Sequence, residues 1–182
     1  AKRQAQSVNC QSNLRSIGQF MVMYSQVNDD RMFPPHAGGG QPPFERWPAV
    51  IVPANMVKVH PMPKIMVCPS DTEFGPQDLP DAQKYGMDVT AVKHSYVVNM
   101  HIWYDDIRYN RTHKVNASDI IVVGEKLTNF FDFRMNCDGP GQTQYASIVE
   151  DMRHGSGRKS NLLYLDGHVA GRFGQQGQFV EA

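Results

Sequence analysis

The segment RHGSGRKSNLLYLDGHV, residues 153 to 169, gathers side chains that could do chemistry. His154, Asp166 and His168 are of types that bind divalent metals, and Arg153 sets a cation beside them. A metal site needs ligand atoms that converge. Asp166 and His168 flank Gly167, and ligand directions from such close neighbours diverge. Asp166-Gly167 also joins two strand-like runs, NLLYL and HVAGRF. Asp-Gly between such runs signals a hairpin, since a two-residue type I′ turn needs positive φ at both central positions. With that turn Leu165 faces His168, Tyr164 faces Val169 and Leu163 faces Ala170. Asp166 and Gly167 then belong to turn chemistry, and His154 is expected to bond a loop backbone or cap the hairpin.

Other chemistries find less support. Cys68-Pro69-Ser70-Asp71 could be read as a nucleophile motif, but no helix N-terminus or paired His stands beside it in the sequence to activate a thiolate. No G-x-S-x-G elbow occurs. The three glycines at 38 to 40 lack the Gly-Lys-Ser/Thr that a phosphate loop requires. Asp132, Asp138, Glu150 and Asp151 could serve a calcium ion, yet their spacing is irregular and no EF-hand pattern is present. Trp47, Trp103, Tyr104 and Tyr109 could form a sugar- or partner-binding surface, or pack in the core. No catalytic, cofactor-binding or metal-binding set is expected. A third reading is a metal-dependent hydrolase using His154 and Asp166.

The elements that must position these residues follow from periodicity. In residues 1 to 30, Cys10, Leu14, Ile17, Met21 and Tyr24 recur at helical spacing, flanked by Phe20 and Val27. The pattern predicts an amphipathic helix that stops near Asn28-Asp29-Asp30, ahead of Phe33-Pro34-Pro35. Gly18 costs such a helix about 1 kcal/mol relative to Ala. Its polar side carries Lys2, Arg3 and Arg15. A Pro/Gly loop follows, and the run from 49 to 61 could hold a short helix or strand. Residues 64 to 71 form a short apolar segment ended by Pro69, and 72 to 90 read as irregular. HSYVVNMHIW and DIIVVGE, the latter ended at Gly124, read as strands. Residues 128 to 152 read mostly as loop.

The chain has 182 residues, enough for one domain with a real core, and 18 basic residues balance 18 acidic ones. That balance argues against a nucleic-acid partner. No apolar run is long enough to span a membrane. Cys10, Cys68 and Cys137 form no C-x-x-C pair, leaving either one disulfide with a free thiol or three buried thiols. A long helix followed by a largely antiparallel sheet with long loops is an α+β arrangement, with residues 1–30 as the helix and 31–182 as the sheet domain.

A resemblance joins these pieces. Cys10, Asn13-Leu14, Ile17-Gly18, Tyr24 and Phe33-Pro34 are followed in order by Cys68-Pro69-Ser70-Asp71, Ser95-Tyr96, Asn99 and Glu125. Arg153-His154 and Asp166-Gly167-His168-Val169 complete the series. The ordered set resembles type IV pilin-like and type II secretion pseudopilin-like proteins. It is most similar to the prepilin-type group with a C-terminal His–spacer–Asp-Gly motif. The spacer here, Gly155 to Leu165, is eleven residues and slightly longer than usual in that group.

The resemblance implies a single pilin-like domain that continues a hydrophobic, membrane-inserted half-helix lying ahead of Ala1. It also implies an extracytoplasmic location at the periplasmic face, with other pilin-like subunits, the secretion or pilus machinery and the inner membrane as partners. It makes Cys10–Cys68 the preferred disulfide, leaving Cys137 free; closing that loop would contribute about 4 kcal/mol in the chain-entropy model. The function it implies is a non-enzymatic filament subunit, with partner specificity in the loops at 34 to 48, 72 to 90 and 128 to 152. The alternative is a membrane-anchored module that binds carbohydrate or protein through exposed Trp47 or Trp103.

Overall fold

The computed structural model describes residues 2–33, 47–51, 64–75, 78–86, 88–89, 92–99, 102, 108, 116–129, 134–135, 149, 153–154 and 159–173. Helix α1, Lys2–Gln26, is followed by α2, Trp47–Ile51, a single 3-10 turn at Lys64–Met66, and α3, Asp78–Tyr85. Five strands follow: β1 Tyr96–Asn99, β2 Ile121–Glu125, β3 Arg134–Met135, β4 Lys159–Tyr164 and β5 Val169–Phe173. They form one sheet in the order β3-β1-β2-β4-β5. β1, β2, β4 and β5 pair antiparallel in turn, and the two-residue β3 adds a parallel edge beside β1. The helix packs on this sheet, giving the α+β class expected from the sequence.

The stripe on α1 buries Cys10, Leu14, Ile17 and Met21, together with Gly18 and Ser25. Tyr24 is only half-buried, and Val27, just past the helix, is exposed. The helix ends as the sequence predicts. Ser25 Oγ and Asn28 Nδ2 turn back onto the carbonyls of Val22 and Tyr24, at 2.8 and 2.7 Å. Asp29 and Asp30 then take φ of 56° and 60°, a left-handed pair that short polar side chains tolerate best after Gly. The chain dives back into the core at Met32 and Phe33, whose ring stacks on the fully buried Trp47 at 5.7 Å.

Gly18 has a packing reason. A Cβ there would sit 3.1 Å from Leu163 Cδ1, so the glycine lets α1 approach β4 closely. The cost in helix propensity is offset by that contact.

The sheet has two apolar faces. Val98, Val122, Val123, Leu163 and Leu165 pack beneath α1, while Val97, Ile121, Val149, Leu162 and Tyr164 form a second cluster. Strict alternation cannot put Val122 and Val123 in one cluster. A register shift between Ile121 and Val123, where β2 meets β4, permits it. Beyond that irregularity alternation resumes. Gly124 lies against Leu162 and Val149 of the second cluster, and Glu125 turns back to the helix side. β2 therefore does not stop at Gly124, and Glu125 is its last residue rather than a residue after it.

Two further expectations are corrected. The 72 to 90 stretch is not uniformly irregular, since α3 occupies Asp78–Tyr85. Pro80 in its first turn and Gly86 just past its end, at φ 63°, are a standard pair of start and stop signals. The terminal hairpin differs by one residue in register. Leu163 pairs with Val169 and Leu162 with Ala170, whereas a two-residue turn would set Leu163 opposite Ala170 and Tyr164 opposite Val169.

The cause of the shift is the turn itself. Gly167 N donates to Tyr164 O at 2.9 Å, and Tyr164 N donates to His168 O at 3.0 Å. Only Gly167 has positive φ, 88°; Asp166 does not. This is a three-residue loop, a β-turn closed by a left-handed glycine. Leu165 consequently leaves the ladder and packs in the core, and Tyr164, not Leu165, comes to face His168.

Candidate functional site

Polar residues far apart in the sequence meet at the end of the sheet where β2 finishes. Cys10 on the first buried turn of α1 is joined to Cys68 in a disulfide, with Cα atoms 5.3 Å apart. Cys68 begins a turn that brings Asp71 N to within 2.9 Å of its carbonyl, with Pro69 in the second position, where a fixed φ is favourable. His154 Nε2 lies 3.7 Å from Cys68 Sγ and 2.6 Å from Glu125 Oε1. Both side chains are fully enclosed, at 1% and 0% exposure.

Glu125 is held on every side. Asn161 of β4 donates its backbone N–H to Oε2 at 2.8 Å and its side-chain Nδ2 to Oε1 at 3.1 Å. Gln11 of α1 donates to Asn161 Oδ1 at 3.0 Å, fixing the amide's orientation. Both carboxylate oxygens thus act as acceptors, and His154 Nε2 is the donor to Oε1. The other ring nitrogen, Nδ1, faces Ser70 Oγ at 3.5 Å. Tyr96 lies close by, its hydroxyl accepting from Asn13 Nδ2 at 3.4 Å. Burial, reinforced by the negative charge of Glu125, pushes the Tyr96 phenol far above its ordinary value.

A second carboxylate, Asp71, anchors the adjoining cluster. Ser95 Oγ donates to its Oδ2 at 2.6 Å and Thr128 Oγ1 to its Oδ1 at 3.2 Å. Lys93 Nζ stands 3.5 Å from Oδ1 and Arg153 Nη1 3.4 Å from Oδ2. Arg153 also donates through Nη2 to the Lys126 carbonyl at 2.7 Å and to Thr128 Oγ1 at 3.2 Å. Lys93 reaches the Glu73 carbonyl as well. The cations of Lys93 and Arg153 flank the Asp71 carboxylate, so that this buried charge has the partners it needs.

Asp166 and His168 are elsewhere. They sit exposed at the hairpin tip, where Asp166 Oδ1 accepts from His168 N at 3.0 Å and from His168 Nδ1 at 2.6 Å. The His168 ring stacks on Tyr164 with centroids 4.2 Å apart. The tip therefore uses Asp166, Gly167 and His168 for turn geometry. Among the described residues His154 meets Glu125, Ser70 and Cys68, none of which belongs to the hairpin tip. Among the described residues, the ligand-type atoms that converge are those of Cys10, Cys68, Glu125 and His154, within 4.8 Å of one another.

The sequence missed the partner of His154 and the part played by Asn161 and Gln11. A signal was there. DIIVVGE ends an apolar run with a carboxylate, and Asn161 opens another, so each places a polar group where a core residue belongs. Trp47 is fully buried and offers no binding surface, which corrects the expectation of an exposed Trp47. Trp103, Tyr104, Tyr109, Cys137 and the acids Asp132, Asp138, Glu150 and Asp151 lie outside the described residues, as do 34 to 46, parts of 72 to 90 and most of 128 to 152 of the expected specificity loops.

Chemically the arrangement is a fastener. Both cysteine sulfurs are engaged with each other, and the His–Glu pair is sealed from solvent. The cluster ties α1, the 64–71 segment, β1, β2, the Arg153-His154 turn and β4 to one another. Among the described residues no helix is long and apolar enough to cross a membrane. No family model matches this chain, and no curated protein or solved structure matches it at a significant level.

Proposed function

We propose that the chain is a structural subunit of a pilin-like or pseudopilin-like filament, of the kind that serves type II secretion or type IV pili. The observation that carries this reading is the way α1 is used. One face is riveted to the sheet from Cys10 onward, while the helix extends eight residues ahead of Cys10, with Lys2, Arg3, Val8 and Asn9 exposed. Further along, Arg15 and Met23 are also exposed on the helix, with Val27 just past its end. Such a helix suits packing beside copies of itself, with the sheet domain carried outward. Charge at Lys2, Arg3 and Arg15 would set register between neighbours more than affinity. The Cys10–Cys68 disulfide supports an extracytoplasmic, periplasmic-face location, where such bonds persist.

The test is mass spectrometry of the N-terminal peptide of the full-length protein from its native membrane fraction. A cleaved leader, an N-methylated first residue and an apolar stretch running into Ala1-Lys2-Arg3 are expected. An ordinary secreted N-terminus would refute prepilin processing. Charge reversal at Arg3 or Arg15 should then impair assembly while leaving the folded domain intact.

A further inference from the structure

The disulfide lies in a setting that a disulfide does not need. A covalent Cys10–Cys68 bond requires neither an imidazole 3.7 Å from one sulfur nor a carboxylate bonded to that imidazole at 2.6 Å. The four ligand-type atoms lie within 4.8 Å of one another. Tetrahedral zinc with mixed sulfur and nitrogen ligands needs its ligand atoms about 3.5 Å apart. We propose that Cys10, Cys68, Glu125 and His154 form a binding site for a zinc-class divalent cation when the disulfide is reduced, so that the ion and the disulfide are alternative fastenings of the same joint.

The donor set argues for the class of ion. Two thiolates and an imidazole select zinc-like ions over magnesium or calcium. Two thiolates and one carboxylate on a dication leave a single negative charge, the same as a Cys3His structural site. Outer contacts of the sort that orient metal ligands are already in place. Asn161 N and Nδ2 hold Glu125, Gln11 holds Asn161, and Ser70 Oγ faces His154 Nδ1.

The chemistry balances. A dithiol gives two electrons and two protons to the Cys10–Cys68 bond and leaves as its own disulfide; the S–S bond breaks and two thiols form. The incoming dication displaces both thiol protons to solvent and forms two metal–sulfur bonds. The His154 ring proton moves from Nε2 to Nδ1, where Ser70 can accept it in a hydrogen bond, freeing Nε2 as a ligand. A disulfide oxidant takes two electrons from the thiolates and, with two protons from solvent, leaves as a dithiol; the Cys10–Cys68 bond re-forms and the ion is released. The cation-bound form would hold α1 to the sheet in a chain that has not yet met an oxidant.

The test uses the whole chain with Cys137→Ser, to remove the third thiol, alongside the unaltered chain. Each is reduced with a phosphine, freed of it under anaerobic conditions, and titrated with cobalt(II), first as the folded protein and then during refolding from denaturant. One cobalt per chain with tetrahedral, thiolate-to-cobalt absorption is expected, displaced by zinc and absent from the oxidised protein. His154→Ala and Glu125→Gln should abolish that spectrum, and Ser70→Ala should lower affinity by about tenfold. A reduced chain that folds only with the ion supports the proposal. The proposal is overturned if the reduced chain takes up no tetrahedral cobalt, if it fails to fold even with the ion, or if His154→Ala leaves the spectrum and affinity unchanged. Prepilin processing and this site are independent, and neither result decides the other.

Discussion

Two His–carboxylate pairs in this molecule have the same contact distance and opposite surroundings. His154 and Glu125 meet at 2.6 Å with side chains 1% and 0% exposed. His168 and Asp166 also meet at 2.6 Å, but at 43% and 38% exposure. Distance alone would rank them equal. Burial separates them, because a sealed carboxylate that loses its donors has no water to replace them, whereas an exposed one does. The buried pair also shares its space with a disulfide and with segments from both ends of the chain, so disturbing it propagates. The exposed pair hangs on one turn.

The largest break in this contrast comes from removing the disulfide at the buried end. Cys10→Ala with Cys68→Ala should lower stability by about 4 kcal/mol, the chain-entropy value for a 58-residue separation. The loss is read as a shift in urea midpoint at constant slope. Next in size is Glu125→Gln, which keeps the shape but removes the charge from a carboxylate accepting three hydrogen bonds. It should cost about 1.5 to 3 kcal/mol, the range for bonds to a charged group. If Glu125→Gln proved as mild as a change at Asp166, burial would not be what distinguishes the two pairs.

How much of this was readable beforehand differs between the two ends for a physical reason. The hairpin was visible because Asp-Gly between apolar runs is a local signal. Even so, its register slipped by one, since Asp-Gly fits both a two-residue turn and the last two places of a three-residue turn. The turn's own hydrogen bonds and the positive φ at Gly167 alone mark the three-residue form. The helix was legible from Cys10 to Met21 because its period is local. The buried site was not, because its members come from positions 10, 68, 125, 154 and 161, and nothing local says that a His in a Gly-rich stretch meets a Glu at the end of an apolar strand. The resemblance to prepilin-type proteins put Cys10 with Cys68, and the structure bears that pairing out. It assigned no contact to His154. Helix α3 is hard to read although Pro80 lies in its first turn and Gly86 follows its end, because its short apolar content hides the period.

A pH experiment sharpens the contrast from the buried side. Tyr96 has its phenol raised by burial and by Glu125. A group whose folded value lies above its unfolded value contributes stability below the unfolded value, and loses it as pH rises beyond. Stability should therefore begin to fall once pH passes the unfolded tyrosine value of 10.0. Tyr96→Phe should reduce that alkaline slope by one proton, about 1.4 kcal/mol per pH unit, measured by urea unfolding at a series of pH values. An unchanged slope would mean that Tyr96 ionises as easily folded as unfolded.

The smallest effects belong to the hairpin tip, and there the backbone should matter more than the charge. His168→Ala removes a solvent-exposed ion pair and a ring stacked on Tyr164, and should cost under about 1 kcal/mol. Gly167→Ala places a Cβ on a residue at φ 88°, a conformation that L residues resist. It should cost about 1 to 2 kcal/mol, more than the loss of the ion pair beside it. A double-mutant cycle over Asp166 and His168, run at low and high salt, separates the two contributions. Coupling that is small and screened by salt marks a surface pair. Coupling that is large and insensitive to salt would mean the tip is shielded by a partner in solution, and the difference between the two His–carboxylate pairs would then be one of assembly rather than of burial within the chain.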